Sequence, residues 1–189
     1  PEKASKPFSK DRDGFVIAEG AATLVLESLE SAVARGAKVL GILKGCGEKA
    51  DHFHRTRSSP DGGPAIATIR AALEDAGMDE SGIGYINAHG TSTPENDKME
   101  YGSMLAVFGE RLRDIPVSSN KSMIGHTLTA AGAVEAVFSI QTMLTGTLPP
   151  TINYVNPDPT IMLDVVPNQK RDQQVRAVLS NSFGFGGQN

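Results

Sequence analysis

The sequence predicts an α/β fold: a mostly parallel sheet covered by helices. Two observations carry that expectation. Short β-rich apolar runs alternate with stretches whose apolar residues recur at helical spacing. Glycine and proline, 20 and 11 among 189 residues, punctuate the boundaries between them.

The elements follow in order. Residues 21–27 (AATLVLE) are apolar and β-rich and read as a buried strand. Residues 28–35 form a short amphipathic helix that Gly36 stops. Residues 39–45 read as a second strand, and the polar stretch 51–63, with Pro60, Asp61, Gly62 and Gly63, as a connecting loop. Ile66, Ile69, Leu73 and Ala76 recur at helical spacing, so a helix is expected over 64–76. A strand over 84–88 precedes Thr93-Pro94, a threonine cap followed by proline at the first helical position. That helix carries Met99, Met104, Leu105 and Phe108 and ends at Gly109. Residues 115–118 read as a short strand and 119–127 as a polar loop. Residues 129–144 form a helix apolar on nearly every face, expected between layers. A proline-punctuated loop over 148–156 and a last strand over 175–180 complete the pattern.

Composition excludes several function classes. With 39% hydrophobic and 21% charged residues the chain is ordinary for a globular domain, and a net charge of -4 offers no basic field to nucleic acid. The longest apolar run, 128–140, is interrupted by Glu135 and reads as too short to span a bilayer. No signal-peptide pattern opens the sequence. The single cysteine, Cys46, forms no internal disulfide and fits a reducing cytoplasm; its glycine-flanked setting suggests a buried, inert thiol. The polar start and the glycine-rich end both read as cuts within a longer chain.

Three constellations carry chemistry. In Asn87-Ala88-His89-Gly90-Thr91-Ser92-Thr93-Pro94, His89 follows a strand's C-terminal end and precedes a helix, where ligands bind in open α/β sheets. Alone, this turn reads first as a capped strand–helix connection with a surface histidine. The second is Ser119-Asn120-Lys121-Ser122-Met123-Ile124-Gly125-His126-Thr127. Lys121 is the only Lys or Arg between Arg113 and Lys170, and Glu135 the only acid between Asp114 and Asp158. A lone charge in a buried segment is costly unless paired. Lys121, His126 and Glu135 are therefore expected in one buried polar network, either catalytic or a structural ion pair. The third is Asn181-Ser182-Phe183-Gly184-Phe185-Gly186-Gly187-Gln188-Asn189, a glycine-rich turn that either buries two rings or forms a mobile wall facing a ligand. His52 and His54 have metal-compatible spacing, but no further nearby Cys or His completes a set, so no metal is expected. Arg55 and Arg57 read as solvated loop charges or as a contact for an acidic partner.

In this order and spacing the three motifs resemble the β-ketoacyl synthase family of the thiolase superfamily, and most closely its elongating type II members. The resemblance extends to Arg12-Asp13-Gly14-Phe15 and Pro149-Pro150-Thr151-Ile152-Asn153. It implies a thiolase-like layered α-β-α-β-α fold built from two similar halves. Residues 1–50 would end the N-terminal half, 51–62 connect, and 63–189 form the C-terminal half without its final strand. It also implies a decarboxylating Claisen condensation on acyl-carrier-protein thioesters, with no cofactor beyond the phosphopantetheine arm on the carrier. His89 and His126 match the histidines that bond the malonyl thioester oxygen, and Lys121 the active-site lysine. Glu135 matches the carboxylate that organises that lysine. Thr91, Thr93 and Phe183 match the phosphopantetheine contacts, and Phe185 the gating phenylalanine. By the same resemblance Arg55 and Arg57 would touch the acidic carrier protein, and the full-length enzyme would be a cytoplasmic homodimer. Gln188 departs from the family's usual threonine or histidine, and the nucleophilic cysteine is absent from this sequence. The alternative is a non-catalytic partner subunit of the chain-length-factor kind; intact His89, Lys121 and His126 favour the active class.

Overall fold

A computed structural model describes residues 3–189. Its centre is a four-stranded, wholly parallel sheet in the order β4-β2-β1-β6. The strands are β1 (Tyr85–Asn87), β2 (Pro116–Ser118), β4 (Asp164–Val165) and β6 (Val178–Ser180). A two-stranded antiparallel ribbon pairs β3 (Thr147–Leu148) with β5 (Arg171–Asp172).

Alternation along β1 separates the two faces of the sheet. Ile86 joins Ile69 and Leu73 of α2 (Gly63–Asp75), Met104 and Phe108 of α3 (Pro94–Phe108), and Val117 of β2 in the main core. Tyr85 enters a second cluster with Leu148, Val166 and Val175, against which Met143 of α5 (Ala131–Thr145) packs. Helices thus cover both faces, as the alternating pattern predicts. Thr93 caps α3 as expected, its hydroxyl accepting from Asn96 N at 3.3 Å. Ser28 caps the short helix α1 (Leu29–Ala34) in the same way.

Five expectations are corrected. Residues 21–27 and 39–45 form no strands. Their apolar side chains are largely exposed, Val25 at 84% and Leu43 at 73%, because a strand needs a neighbouring edge and none lies beside them among the described residues. Just past the second run the chain crosses α2 so closely that a Cβ on Gly47 would lie 2.1 Å from Thr68 O. Cys46, beside that glycine, is exposed rather than buried. Helix α5 buries one face only: Ala131, Glu135, Ser139 and Thr142 point inward, while Val137 and Leu144 are exposed. With the turn before it, the apolar stretch Leu128–Thr145 reaches 18 residues, enough by length and composition alone to cross a membrane, because Glu135 does not interrupt the helix. Finally, the polar loop after β2 contains a one-turn helix, α4 (Lys121–Ile124), closed by Gly125.

Candidate active site

The three motifs converge because each follows the C-terminal end of a neighbouring parallel strand. His89 follows β1, Lys121 and His126 follow β2, and Ser182 and Phe183 follow β6. The crevice outside the carboxyl ends of parallel strands is the usual ligand position in open α/β sheets.

The His89 and His126 rings stand edge to face with centroids 5.4 Å apart. Phe183 meets His89 edge to face at 5.6 Å, and Phe15 meets His126 likewise at 5.3 Å. Leu128 N donates to His126 Nδ1 at 3.1 Å, so the hydrogen of the neutral ring lies on Nε2. Lys121, 1% exposed, donates to Glu135 Oε1 across a fully buried ion pair.

The electrostatics keep both imidazoles neutral. Burial, then the ammonium of Lys121, then His126, hold His89 well below the ordinary imidazole range. Burial, followed by Lys121, lowers His126 to about 4. Burial raises the Glu135 carboxyl while Lys121 pulls it back. A depressed histidine takes up fewer protons folded than unfolded, so its contribution to stability is complete above its ordinary 6.5 and is lost as pH falls through about 4. The raised carboxyls of Asp97 and Glu100 act in the opposite sense over the same range, so the His126 share is read as a difference: as pH falls from 6.5 to about 4, the melting temperature of the full-length parent should drop relative to that of His126→Asn. An unchanged slope in the variant would remove His126 from the account.

Two carboxylates that sequence reasoning missed hold the histidine loop from below. Glu100 accepts from His89 N and Gly90 N at 2.8 Å each, and from Asn181 Nδ2 at 3.1 Å, tying the loop after β1 to the loop after β6. Asp97 accepts from Phe8 N at 2.8 Å and Ser92 N at 3.2 Å. Burial lifts the Asp97 carboxyl to about 6 and the Glu100 carboxyl to about 7, against these donors. The signal lay in the helix stripe: positions 97, 100, 104 and 108 share one face, and Met104 and Phe108 mark it as the buried one.

The remaining predicted residues lie around this centre. Thr91 and Thr93 share a hydrogen bond between their hydroxyls at 2.9 Å. Phe183 is buried with Ala65 and Met99, whereas Phe185 is 67% exposed at the tip of the glycine turn, so the turn buries one ring. Arg55 and Arg57 are exposed on a loop that Asp51 folds, its carboxylate accepting from Phe53 N, Ser59 N and Ser59 Oγ at 2.7–2.9 Å. This loop lies against the glycine turn: Gly186 N donates to Arg55 O at 2.8 Å and Asp51 N to Gly187 O at 2.7 Å. Gly187 takes φ +84°, and a Cβ there would meet Asp51 O at 1.8 Å, so only glycine fits. Among the described residues no group of three or more His, Cys, Asp or Glu side chains could hold a metal ion.

Parallel strands between helical layers, with site loops at the strand ends, define an α/β fold, and solved ketosynthases share it. The chain superposes on a type II polyketide ketosynthase solved in complex with its acyl carrier protein, with TM-score 0.96 and 42% identity over 99% of this chain and 46% of that one. A β-ketoacyl synthase from Burkholderia phymatum gives TM-score 0.91 and 42% identity over 97% and 44% of the two chains. Residues 40–155 match the family model of the β-ketoacyl synthase C-terminal domain, and residues 1–32 that of the N-terminal domain. The chain belongs to the β-ketoacyl synthase family. It is 50% identical over its whole length to 3-oxoacyl-[acyl-carrier-protein] synthase 2 of Synechocystis, and 47% to that of Coxiella burnetii. It spans 45% and 46% of those relatives' lengths, and corresponds to their C-terminal half.

Proposed function

We propose that the protein containing these residues is an elongating 3-oxoacyl-[acyl-carrier-protein] synthase, and that this chain supplies its enolate-stabilising half. The observation that carries the reading is the pair of neutral imidazoles beside the buried Lys121 ammonium. An acyl group waits on a cysteine outside these residues. The carbon–carboxylate bond of the malonyl thioester breaks, CO2 leaves, and the electron pair passes to the thioester oxygen. His89 and His126 donate to that oxygen as it turns negative, a preorganised arrangement worth about 3–4 kcal/mol per donor in a dry site. The enolate carbon then attacks the acyl thioester and expels the cysteine thiolate.

In this reading burial, aided by the Lys121 ammonium, keeps both rings neutral, and Glu135 holds Lys121. Thr91, Thr93 and Phe183 line the path of the phosphopantetheine arm, and Phe185 gates it; the reaction takes no resident cofactor or metal. Residues 1–50 end the N-terminal half, and the exposed apolar runs 21–27 and 39–45 become strands within it. The assembled enzyme is a cytoplasmic homodimer. Two intact histidines and the Lys121–Glu135 pair favour this over a chain-length-factor-like partner, although two similar structures are those of a ketosynthase with its chain length factor. The test is the full-length protein supplied with acyl- and malonyl-carrier: 3-oxoacyl product with stoichiometric CO2 is expected, and the absence of both would overturn the assignment.

Arg55 and Arg57 present two exposed cations on the loop that braces the glycine turn. We assign them to the acidic carrier protein. Arg55→Glu/Arg57→Glu should weaken carrier affinity at least tenfold at low salt, with the loss shrinking as salt rises. Affinity unchanged by the double reversal would remove this contact.

A further inference from the structure

Ser92 sits between the two threonines that the proposed reading assigns to the phosphopantetheine arm, and its environment is unusual. It is fully buried and takes φ +70°, a conformation uncommon for residues other than glycine. Three backbone and side-chain contacts hold it there. Ser92 Oγ accepts from Lys6 N at 3.0 Å, Ser92 O accepts from Gly14 N at 2.9 Å, and Ser92 N donates to Asp97 Oδ1 at 3.2 Å. Two of these come from one segment, residues 5–18, which also reaches the other site loop. Ser5 Oγ donates to Lys121 O at 3.0 Å, His126 N donates to Val16 O at 2.7 Å, and Ala18 N donates to His126 O at 3.0 Å. Arg12 closes the strap onto the same helix start, donating to Pro94 O at 3.3 Å and to Asp158 at 2.7 Å, with its Nε 3.8 Å from Asp97. A strained conformation persists only where its surroundings over-determine it, and such residues gather at ligand clamps.

We propose that Ser92 is a positioning residue: held by the 5–18 strap, it fixes the Thr91–Thr93 hydroxyl pair in the geometry that receives the thioester arm. The flanking hydroxyls face each other because Ser92 turns the chain between them, and the Lys6 hydrogen bond to its own hydroxyl locks that turn. The inference rests on the reading that Thr91 and Thr93 touch the arm, and the test separates the two.

Steady-state kinetics of the full-length protein with malonyl-pantetheine, which removes carrier docking, should give Ser92→Ala a KM about tenfold higher, the loss of one hydrogen bond's worth of binding, with kcat within about twofold. Ser92→Gly tolerates the backbone conformation, so it folds even where Ser92→Ala does not, and it should show the same KM rise. In a Thr93→Val background the Ser92 substitution should add nothing further, because both act on one arrangement. Additive effects, or a lowered melting temperature with KM unchanged, would make Ser92 merely structural and overturn the inference. A Thr93→Val variant with normal KM would instead overturn the underlying assignment of the threonines.

Discussion

Full-length protein carrying His89→Ala or His126→Ala will accept an acyl group from the carrier yet lose condensation by about 10²- to 10³-fold, the cost of removing one preorganised donor from an oxyanion site. The two losses will not add, since both rings serve one oxygen. Each substitution also opens a cavity beside an aromatic neighbour, Phe183 for His89 and Phe15 for His126, so some thermal stability goes with the activity. Conservative replacements separate these effects. His126→Gln places an amide donor near the Nε2 position and should recover part of the rate, whereas His126→Phe restores volume without a donor and should not. Mass spectrometry of the acyl-enzyme and quantification of CO2 read the two half-reactions independently. Normal CO2 release from malonyl-carrier in both alanine variants would contradict the assigned roles.

The second large effect concerns the ion pair. Lys121→Ala leaves the Glu135 carboxylate fully buried and uncompensated, and should cost about 3–5 kcal/mol in chemical denaturation of the full-length protein. Glu135→Ala should cost a similar amount by stranding the ammonium. Replacing both, Lys121→Met with Glu135→Leu, should restore stability to near that of the parent, because apolar side chains of similar volume carry no desolvation penalty. Activity should stay lost in the double variant, since the ammonium beside the two imidazoles, whose charge favours the developing enolate, is gone. Double-variant stability as low as either single variant would mean that packing, not charge, dominates at this place.

Much of the site was legible because its chemistry is locally improbable. The charge count placed Lys121, His126 and Glu135 in one network; Lys121 and Glu135 form the buried pair, while the His126 ring accepts from Leu128 N instead. The placement of His89 beyond a strand end follows from elementary α/β topology. Asp97 and Glu100 escaped notice because the first two turns of α3 carry several charged residues, and the acids of the first turn, Glu95 and Asp97, would ordinarily face solvent and the helix dipole. Only the shared stripe with Met104 and Phe108 distinguishes them. The runs at 21–27 and 39–45 show the converse. Their residues have every local property of a strand, yet pairing is supplied by a neighbour, and no residue-level pattern within the run reports whether one is present. Strands β4 and β5, two residues each, are shorter than any periodicity can register. The 5–18 strap carries its constraint through backbone atoms, which composition does not mark.

A crystal structure of the full-length protein with malonyl-pantetheine in which nitrogen replaces the thioester sulfur, blocking turnover, tests the central claim most directly. The thioester-equivalent carbonyl oxygen should lie within about 2.7–3.1 Å of Nε2 of both His89 and His126, with the arm passing Thr91 and Thr93. An oxygen bound by other donors, with either ring turned away, would contradict the account.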